Sequence, residues 1–254
     1  MDIKGRKVLV TGGASGMGRT FTLSLARDGA DVAFCDVNAA GIADVEAEGA
    51  GLPGKVKGFV ANVASEEDVV ALVQDARDAL GGLDGLVNNA GILRDGLLVK
   101  LDKEGKVQKM SLKNWQAVID VNLTGVFLCT REFAAHCLQT QTKPAVIVSI
   151  SSISRHGNMG QSNYSAAKAA IVADTKLWGG ELARYGIRTG AIAPGFTRTP
   201  ILDSMRPEVL EQMLKPVPLR RLAETDEMYR TVKFIFENDY FTGRTIDVDG
   251  GLVL

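Results

Sequence analysis

Cysteine is scarce in this 254-residue chain, with only Cys35, Cys129 and Cys137, an odd set far apart in apolar or helical stretches. Such a set makes no disulfide framework and points to buried thiols in a reducing compartment. Histidine is scarcer, with His136 and His156 alone. Neither stands at metal-ligand spacing from cysteine or carboxylate, so no metal centre is expected. Neither charge sign is in excess: 29 Lys and Arg against 30 Asp and Glu give a net charge of −1. Without a basic block there is no electrostatic case for nucleic acid. No apolar run approaches the roughly 18 residues of a membrane span. The first apolar run, 7–10, begins too early to leave room for a signal peptide. These absences lead to the expectation of a cytoplasmic protein with no membrane or nucleic-acid partner.

Glycine is plentiful: 28 residues of 254, about 11% against a usual 7% or so, so backbone must pass close to something at many points. Hydrophobic residues at 46% and charged residues at 23% exclude a fully disordered chain. Short β-rich runs alternate with amphipathic stretches throughout. Strands are expected at 7–10, 31–35, 56–60, 84–88, 145–150, 187–193 and 244–248, several near-continuously apolar, as in parallel strands covered on both faces. Helices are expected at 16–28, 38–47, 65–80, 111–137, 163–185 and 224–236. The third opens on Ser65 followed by Glu66, Glu67 and Asp68, an N-cap with acidic first-turn residues. Seven strands separated by six helices read as an α/β fold, a doubly wound seven-stranded parallel sheet with helices on both faces. No linker or repeat divides it, so 1–254 is expected to be one domain.

Two segments break the alternation. Residues 99–110 are charged around Glu104-Gly105 and read as a surface hairpin. Residues 197–219 hold Pro200, Pro207, Pro216 and Pro218 around a short helical piece and read as a mobile substrate lid.

Directly after the first strand comes Thr11-Gly12-Gly13-Ala14-Ser15-Gly16-Met17-Gly18, opening the first helix. Glycines there allow a tight turn and close approach of backbone N–H groups to a pyrophosphate, which the positive helix end favours. The glycines at 12, 16 and 18 depart from the usual G-x-G-x-x-G spacing, and an ordinary strand–helix turn is the alternative. Strand two ends at Cys35-Asp36, eighteen residues beyond Gly18. An acidic side chain there can accept hydrogen bonds from a ribose 2′-hydroxyl and repels a 2′-phosphate, so NAD(H) is expected in preference to NADP(H).

Tyr164 and Lys168 lie four residues apart at a helix start, hence on one face. A phenol with pKa near 10 is a poor acid–base group at neutral pH, and a neighbouring ammonium favours its phenolate. With the TGGASGMG turn stand Asn88-Asn89-Ala90-Gly91 after strand four, Asn122 in DVNLTG, and the SISSIS serines. Pro194-Gly195 after strand six and Asp247-Val248-Asp249-Gly250-Gly251 complete the set. In this order the chain resembles, over nearly its whole length, the short-chain dehydrogenase/reductase family, and in texture (NNAGILRDGLL, VDGG) its 3-oxoacyl reductases of the carrier-protein or coenzyme A type.

The resemblance implies a Rossmann enzyme, usually a homotetramer, that interconverts secondary alcohols and ketones with a nicotinamide dinucleotide. It makes Tyr164 the acid/base and Lys168 the residue that lowers its pKa and holds the nicotinamide ribose. Asn122 would keep a water in a proton relay, and a serine would hydrogen-bond the substrate oxygen. That serine is Ser151 by the family's spacing and Ser152 by strand alignment. The cofactor would meet Gly12, Ser15, Gly16, Met17 and Gly18 around the pyrophosphate, Asp36 and Val37 after strand two, and Asn62 and Val63 near adenine. Asn89, Ala90 and Gly91 would lie under the adenosine ribose, and Pro194, Gly195, Phe196, Thr197 and Thr199 towards the carboxamide. Residue 62 is Asn where the family more often has Asp; its side chain still offers an acceptor.

His156 is expected in the pocket wall and His136 in packing, as are Trp115 and Trp178. Met159, Ile201, Leu202 and Met205 point to a moderately hydrophobic substrate. The 99–110 stretch is longer than in the family's 3-oxoacyl reductases, and its lysines leave open either a plain solvated insertion or a border of the active-site mouth or of a neighbouring subunit that helps admit an anionic or coenzyme A-linked substrate. An NADPH-dependent 3-oxoacyl reductase and a non-catalytic dinucleotide-binding regulator are the competing functions; the regulator would have lost Tyr164, Lys168 or the serines. A same-fold epimerase or dehydratase is the third, and the short C-terminal region speaks against it.

Overall fold

In the computed structural model, which describes residues 1–199, 202 and 206–252, the apolar runs are seven strands of one sheet. They are β1 (Lys7–Thr11), β2 (Asp31–Asp36), β3 (Val56–Val60), β4 (Gly85–Asn88), β7 (Ala145–Ile150), β8 (Ile187–Pro194) and β9 (Arg244–Val248). Two further short strands, β5 (Val99–Leu101) and β6 (Val107–Lys109), pair antiparallel as a separate ribbon. The large sheet is parallel throughout, in the order β3-β2-β1-β4-β7-β8-β9.

Side chains of successive strand residues point to opposite faces. In β1, Val8 and Val10 enter one core with Phe21, Phe34, Val232 and Phe236, while Leu9 enters the other with Leu72, Val73 and Phe133. Burial on both faces is why β4 and β7 are buried at every residue and could be read as continuous apolar runs. The covering helices are α1 (Gly16–Arg27), α2 (Ala39–Gly49), α3 (Glu66–Leu80), α5 (Gly125–Thr140), α6 (Ser162–Leu182) and α8 (Thr225–Glu237), with α4 (Leu112–Ile119) preceding α5. Ser65 caps α3 by accepting the Asp68 N–H at 3.2 Å, and Gly81 ends it at φ 71°.

Two expectations change in detail. The single helix expected over 111–137 is α4, a π turn at Asp120–Thr124, and α5. A π turn inserts one extra residue and re-aims the side chains within it. In the 197–219 stretch a helix, α7 (Pro207–Leu214), starts with proline at its first position, where no N–H is needed. Pro200, Ile201 and Met205 lie outside the described residues. Strand order reverses between β1 and β4, and the crevice beyond their carboxyl ends is where such sheets bind ligands.

Candidate active site

The turn after β1 is locked to the strand beside it. Asn89 donates through its side-chain amide to the carbonyls of Thr11 and Gly12 at 3.0 and 3.1 Å. The Thr11 hydroxyl in turn accepts the backbone N–H groups of Asn89 and Ala90 at 3.0 and 3.1 Å. Gly12 has φ +65°, and a Cβ there would stand 2.8 Å from Ala90 Cα; a Cβ on Gly18 would run into the Gly12 carbonyl oxygen. Only glycine allows this approach of helix to turn. Ser15 caps α1 without spending its side chain on the helix, and no acidic residue stands in the first turn. The first-turn N–H groups therefore face the crevice without a competing anion.

Beside this turn is a cavity of about 360 Å³, whose walls include Gly12, Ser15, Met17, Asp36, Val63 and Ala90. Asp36 is held at the end of β2 by two backbone donors, the N–H groups of Ala14 and Asn38, each at 3.1 Å. No lysine or arginine lines the cavity among the described residues. Arg19, on the first turn of α1, is tied to Glu48. Val37 is exposed at the cavity rim, and Asn62 uses its side-chain oxygen to accept the Ala64 N–H at 3.1 Å. Gly91 lines the same cavity, and Thr199 brings its methyl group to 3.6 Å from where a Cβ of Gly16 would stand. The Pro194–Thr197 turn leaves β8 with Gly195 donating to the Val248 carbonyl at 2.9 Å, and Phe196 packs on the cluster of Ile153, Val217 and Leu252. A turn of orphan N–H groups, a glycine cradle that a Cβ would fill, and a carboxylate in the cavity wall at the end of β2 fit a nicotinamide dinucleotide.

Next to the crevice, α6 presents Tyr164 and Lys168. The Lys168 ammonium is buried, donates to the Ile150 carbonyl at 2.7 Å, and lies 5.5 Å from the centre of the Tyr164 ring. Burial pulls it down to about 8 from an ordinary 10.5. Tyr164 is pushed the other way. Desolvation raises its phenol above the ordinary 10, a hydrogen bond with the Ser152 side chain opposes the rise, and the negative charge of Asp95 adds to it. The expected depression of the phenol by the neighbouring ammonium is not found: burial of the phenol outweighs the rest, and the Lys168 ammonium donates to the Ile150 carbonyl.

The two serines part company. The Ser151 hydroxyl is buried and donates to the Lys168 carbonyl at 2.8 Å, tying β7 to α6. Ser152 starts a short 3-10 turn at Ile153–His156, accepting the Ser154 N–H at 3.1 Å, and its hydroxyl reaches Tyr164. Asn122, fully buried in the π turn, accepts the Ile92 N–H at 2.8 Å and donates to the Ile92 carbonyl at 3.1 Å, while the turn packs on α6.

A residue not singled out in the sequence completes the frame. Asn163, fully buried, donates to the carbonyls of Arg94 and Asn114 at 3.1 and 3.2 Å and accepts the Tyr164 N–H at 2.8 Å. It fixes the start of α6 against α4 and the loop after β4. Only its place beside Tyr164 could have signalled it. Of the residues expected in a hydrophobic pocket, Met159 is 88% exposed and Leu202 is partly buried. His156 is exposed, whereas His136 is buried, and burial lowers its pKa. Among the described residues no cluster of three His, Cys, Asp or Glu could hold a metal, and no helix is long and apolar enough to cross a membrane.

A family model described as enoyl-(acyl carrier protein) reductase matches residues 12–253. The 3-oxoacyl-(acyl-carrier-protein) reductase FabG of Thermotoga maritima is 38% identical over 100% of both chains. The 3-oxoacyl-(acyl-carrier-protein) reductase of a Synechocystis strain is 39% identical over 97% of this chain and 96% of its own. A short-chain type dehydrogenase/reductase from Mycobacterium marinum, solved by crystallography, superposes with a TM-score of 0.88 at 29% identity, over 98% of this chain and 96% of that one. The chain belongs to the short-chain dehydrogenase/reductase family. As an oxidoreductase of that family it uses a nicotinamide dinucleotide, the cofactor class that the turn, cradle and carboxylate fit.

Proposed function

We propose that this short-chain dehydrogenase/reductase interconverts a secondary alcohol and a ketone with NAD(H), on a 3-hydroxyacyl or 3-oxoacyl thioester. The observation that carries the chemistry is a buried ammonium beside a phenol that also meets a serine hydroxyl, next to a cavity with a carboxylate at its rim. The nicotinamide, when bound, supplies or takes the hydride at the carbinol carbon. Tyr164 gives its phenol proton to the substrate oxygen in reduction and takes it back in oxidation. Ser152 provides the second hydrogen bond to that oxygen as its charge changes. With its hydroxyl committed to Lys168, Ser151 is left out of this role. Lys168, already close to neutrality near pH 8, passes protons readily between Tyr164 and a water held beside Asn122.

Asp36 and the lack of a cation in the cavity wall among the described residues support NAD(H) over NADP(H), since a 2′-phosphate would meet a carboxylate with no lysine or arginine of that wall to neutralise it. The thioester substrate is favoured by the names of the reductases from Thermotoga maritima and Synechocystis. The chain is read as one catalytic domain in the cytoplasm. Exposed Phe127, Leu138 and Leu177 on α5 and α6 suit subunit contacts of a homotetramer. The test is reduction of an acetoacetyl thioester with NADH and with NADPH, using the native chain and Tyr164→Phe. Turnover with NADH, lost in the variant, is expected. Turnover with NADPH alone would overturn the Asp36 argument, and undiminished turnover by Tyr164→Phe would overturn the mechanism.

A further inference from the structure

Ser152 stands just beyond β7, where the sheet no longer fixes the chain. It opens the 3-10 turn Ile153–His156, in which the Arg155 N–H donates to the Ser152 carbonyl at 3.1 Å and the Gly157 N–H to the Ser154 carbonyl at 3.0 Å. Hydrogen bonds of this type are poorly aligned, so so short a turn needs holding from outside. Two of its side chains anchor it. Ile153 is buried with Val217 and Leu252, against Phe196. Arg155 forms an ion pair with Asp247, its Nη2 lying 2.7 Å from the carboxylate.

That ion pair joins two sides of the site. β8 lies between β7 and β9, so the pair reaches across one strand, from the serine turn to the end of β9. Two strand spacings are about 10 Å, a span that suits a long side chain. Asp247 pairs in register with Ala193, and close by Gly195 donates to the Val248 carbonyl at 2.9 Å. Arg155 therefore ties the serine to the strand end that braces the Pro194–Thr197 turn. The serine turn also packs on α6, the helix of Tyr164 and Lys168.

Stability alone explains the pair poorly. The Arg155 side chain is 12% exposed and that of Asp247 51%, so a pair open to water on one side holds a guanidinium largely out of it. The other terminal nitrogen, Nη1, is buried without a hydrogen-bond partner among the described residues, and an unpaired buried donor is a cost. What the pair does supply is a fixed separation between the serine turn and β9.

We infer that Arg155 is a positioning residue: its ion pair with Asp247 sets the 3-10 turn so that the Ser152 hydroxyl meets Tyr164 and the substrate oxygen together. The inference rests on the role of Ser152 given under Proposed function. With the pair broken, the turn keeps its Ile153 anchor and pivots on it, and the hydroxyl drifts from the oxygen it has to meet. Misplacement by about 1 Å costs up to about 100-fold in rate. The Ser154 N–H still holds the hydroxyl, so a loss of about tenfold is expected.

The experiment measures reduction of acetoacetyl-N-acetylcysteamine with the nucleotide that the native chain turns over, and the binding of that nucleotide by fluorescence titration. It compares Arg155→Ala, Asp247→Asn and Ser152→Ala, singly and in pairs. Arg155→Ala and Asp247→Asn are each expected to lower kcat about tenfold, with KM and nucleotide affinity unchanged. Combined, the two lower kcat no further than either alone, and neither lowers it further once Ser152 is replaced. A role in folding alone would not depend on the Ser152 hydroxyl in this way. A tenfold loss that persists in the Ser152→Ala background would overturn the inference. So would losses that multiply when Arg155→Ala and Asp247→Asn are combined, an unchanged kcat in either, or a loss carried by KM or nucleotide affinity instead. Asp247 is half-exposed, so Asp247→Asn decides the question where Arg155→Ala does not fold. Undiminished kcat in Ser152→Ala would overturn the role of Ser152 and the inference with it, and failure of the native chain on every ketone would overturn the reading beneath both.

Discussion

In the proposed mechanism Lys168 serves the chemistry while its burial is costly for folding, and Lys168→Met separates the two. Lys168 is 3% exposed, and its ammonium makes one hydrogen bond, to the Ile150 carbonyl at 2.7 Å. Its pKa is about 8 where a free lysine has 10.5, a gap equivalent to about 3 kcal/mol against the charged form in the folded state. Because the folded pKa is the lower one, the full cost applies below pH 8. As pH climbs from 8 towards 10.5, the folded chain has shed a proton that the unfolded chain keeps, so native stability rises. Methionine is of similar length, apolar and does not titrate; its own cost is a carbonyl left without its donor, about 1–3 kcal/mol.

At pH 7 the variant is therefore expected to be as stable as the native chain or slightly more so, while its turnover falls by a factor of about 10²–10⁴. The sharper quantity is the stability difference as a function of pH, because all other groups titrate alike in both chains and cancel. Between pH 7 and pH 10 the native chain should gain about 2–3 kcal/mol on the variant. Urea unfolding followed by fluorescence at pH 7, 8, 9 and 10 reads this directly. A difference that stays flat across the range would mean that Lys168 titrates as a solvated lysine, and the argument from its burial would fail.

Asp36→Ala is expected to weaken NADH binding about tenfold or more, through loss of a charged acceptor fixed by two backbone donors, and to leave NADPH binding equal or tighter; a fluorescence titration with both nucleotides decides, and unchanged NADH affinity would refute it. Ser152→Ala should lower kcat about 100-fold with thermal stability kept, whereas Ser151→Ala should cost about 1 kcal/mol of stability with kcat nearly kept. Measured the other way round by kinetics and calorimetry, the two roles would have to be exchanged. Gly18→Ala pushes a Cβ into the Gly12 carbonyl oxygen and the Asn89 amide, so the turn must open. A stability loss of about 1–3 kcal/mol and loss of nucleotide binding are expected in scanning and titration calorimetry.

The sheet could be read in the sequence because burial on both faces writes itself as unbroken apolar runs. Strand ends such as Asp36 fall within a residue of where the run stops. The glycine turn was legible for a related reason: at Gly12 and Gly18 the backbone passes so close to its neighbours that no other residue fits. What could not be read depends on partners far away along the chain. Nothing in Asp120–Thr124 breaks a helix by composition; the π turn exists with the Asn122 amide matched to both backbone groups of Ile92. Asn163 is equally silent in sequence, since its meaning lies in the carbonyls of residues 94 and 114. The two serines make the same point most sharply. They are adjacent, chemically identical and both compatible with the motif, and their division follows from strand alternation at the end of β7, which turns Ser151 to α6 and leaves Ser152 to meet Tyr164. Motif spacing points to Ser151 and strand alignment to Ser152; only the direction in which the chain leaves the sheet shows which of the two hydroxyls is tied to α6 and which lies beside Tyr164.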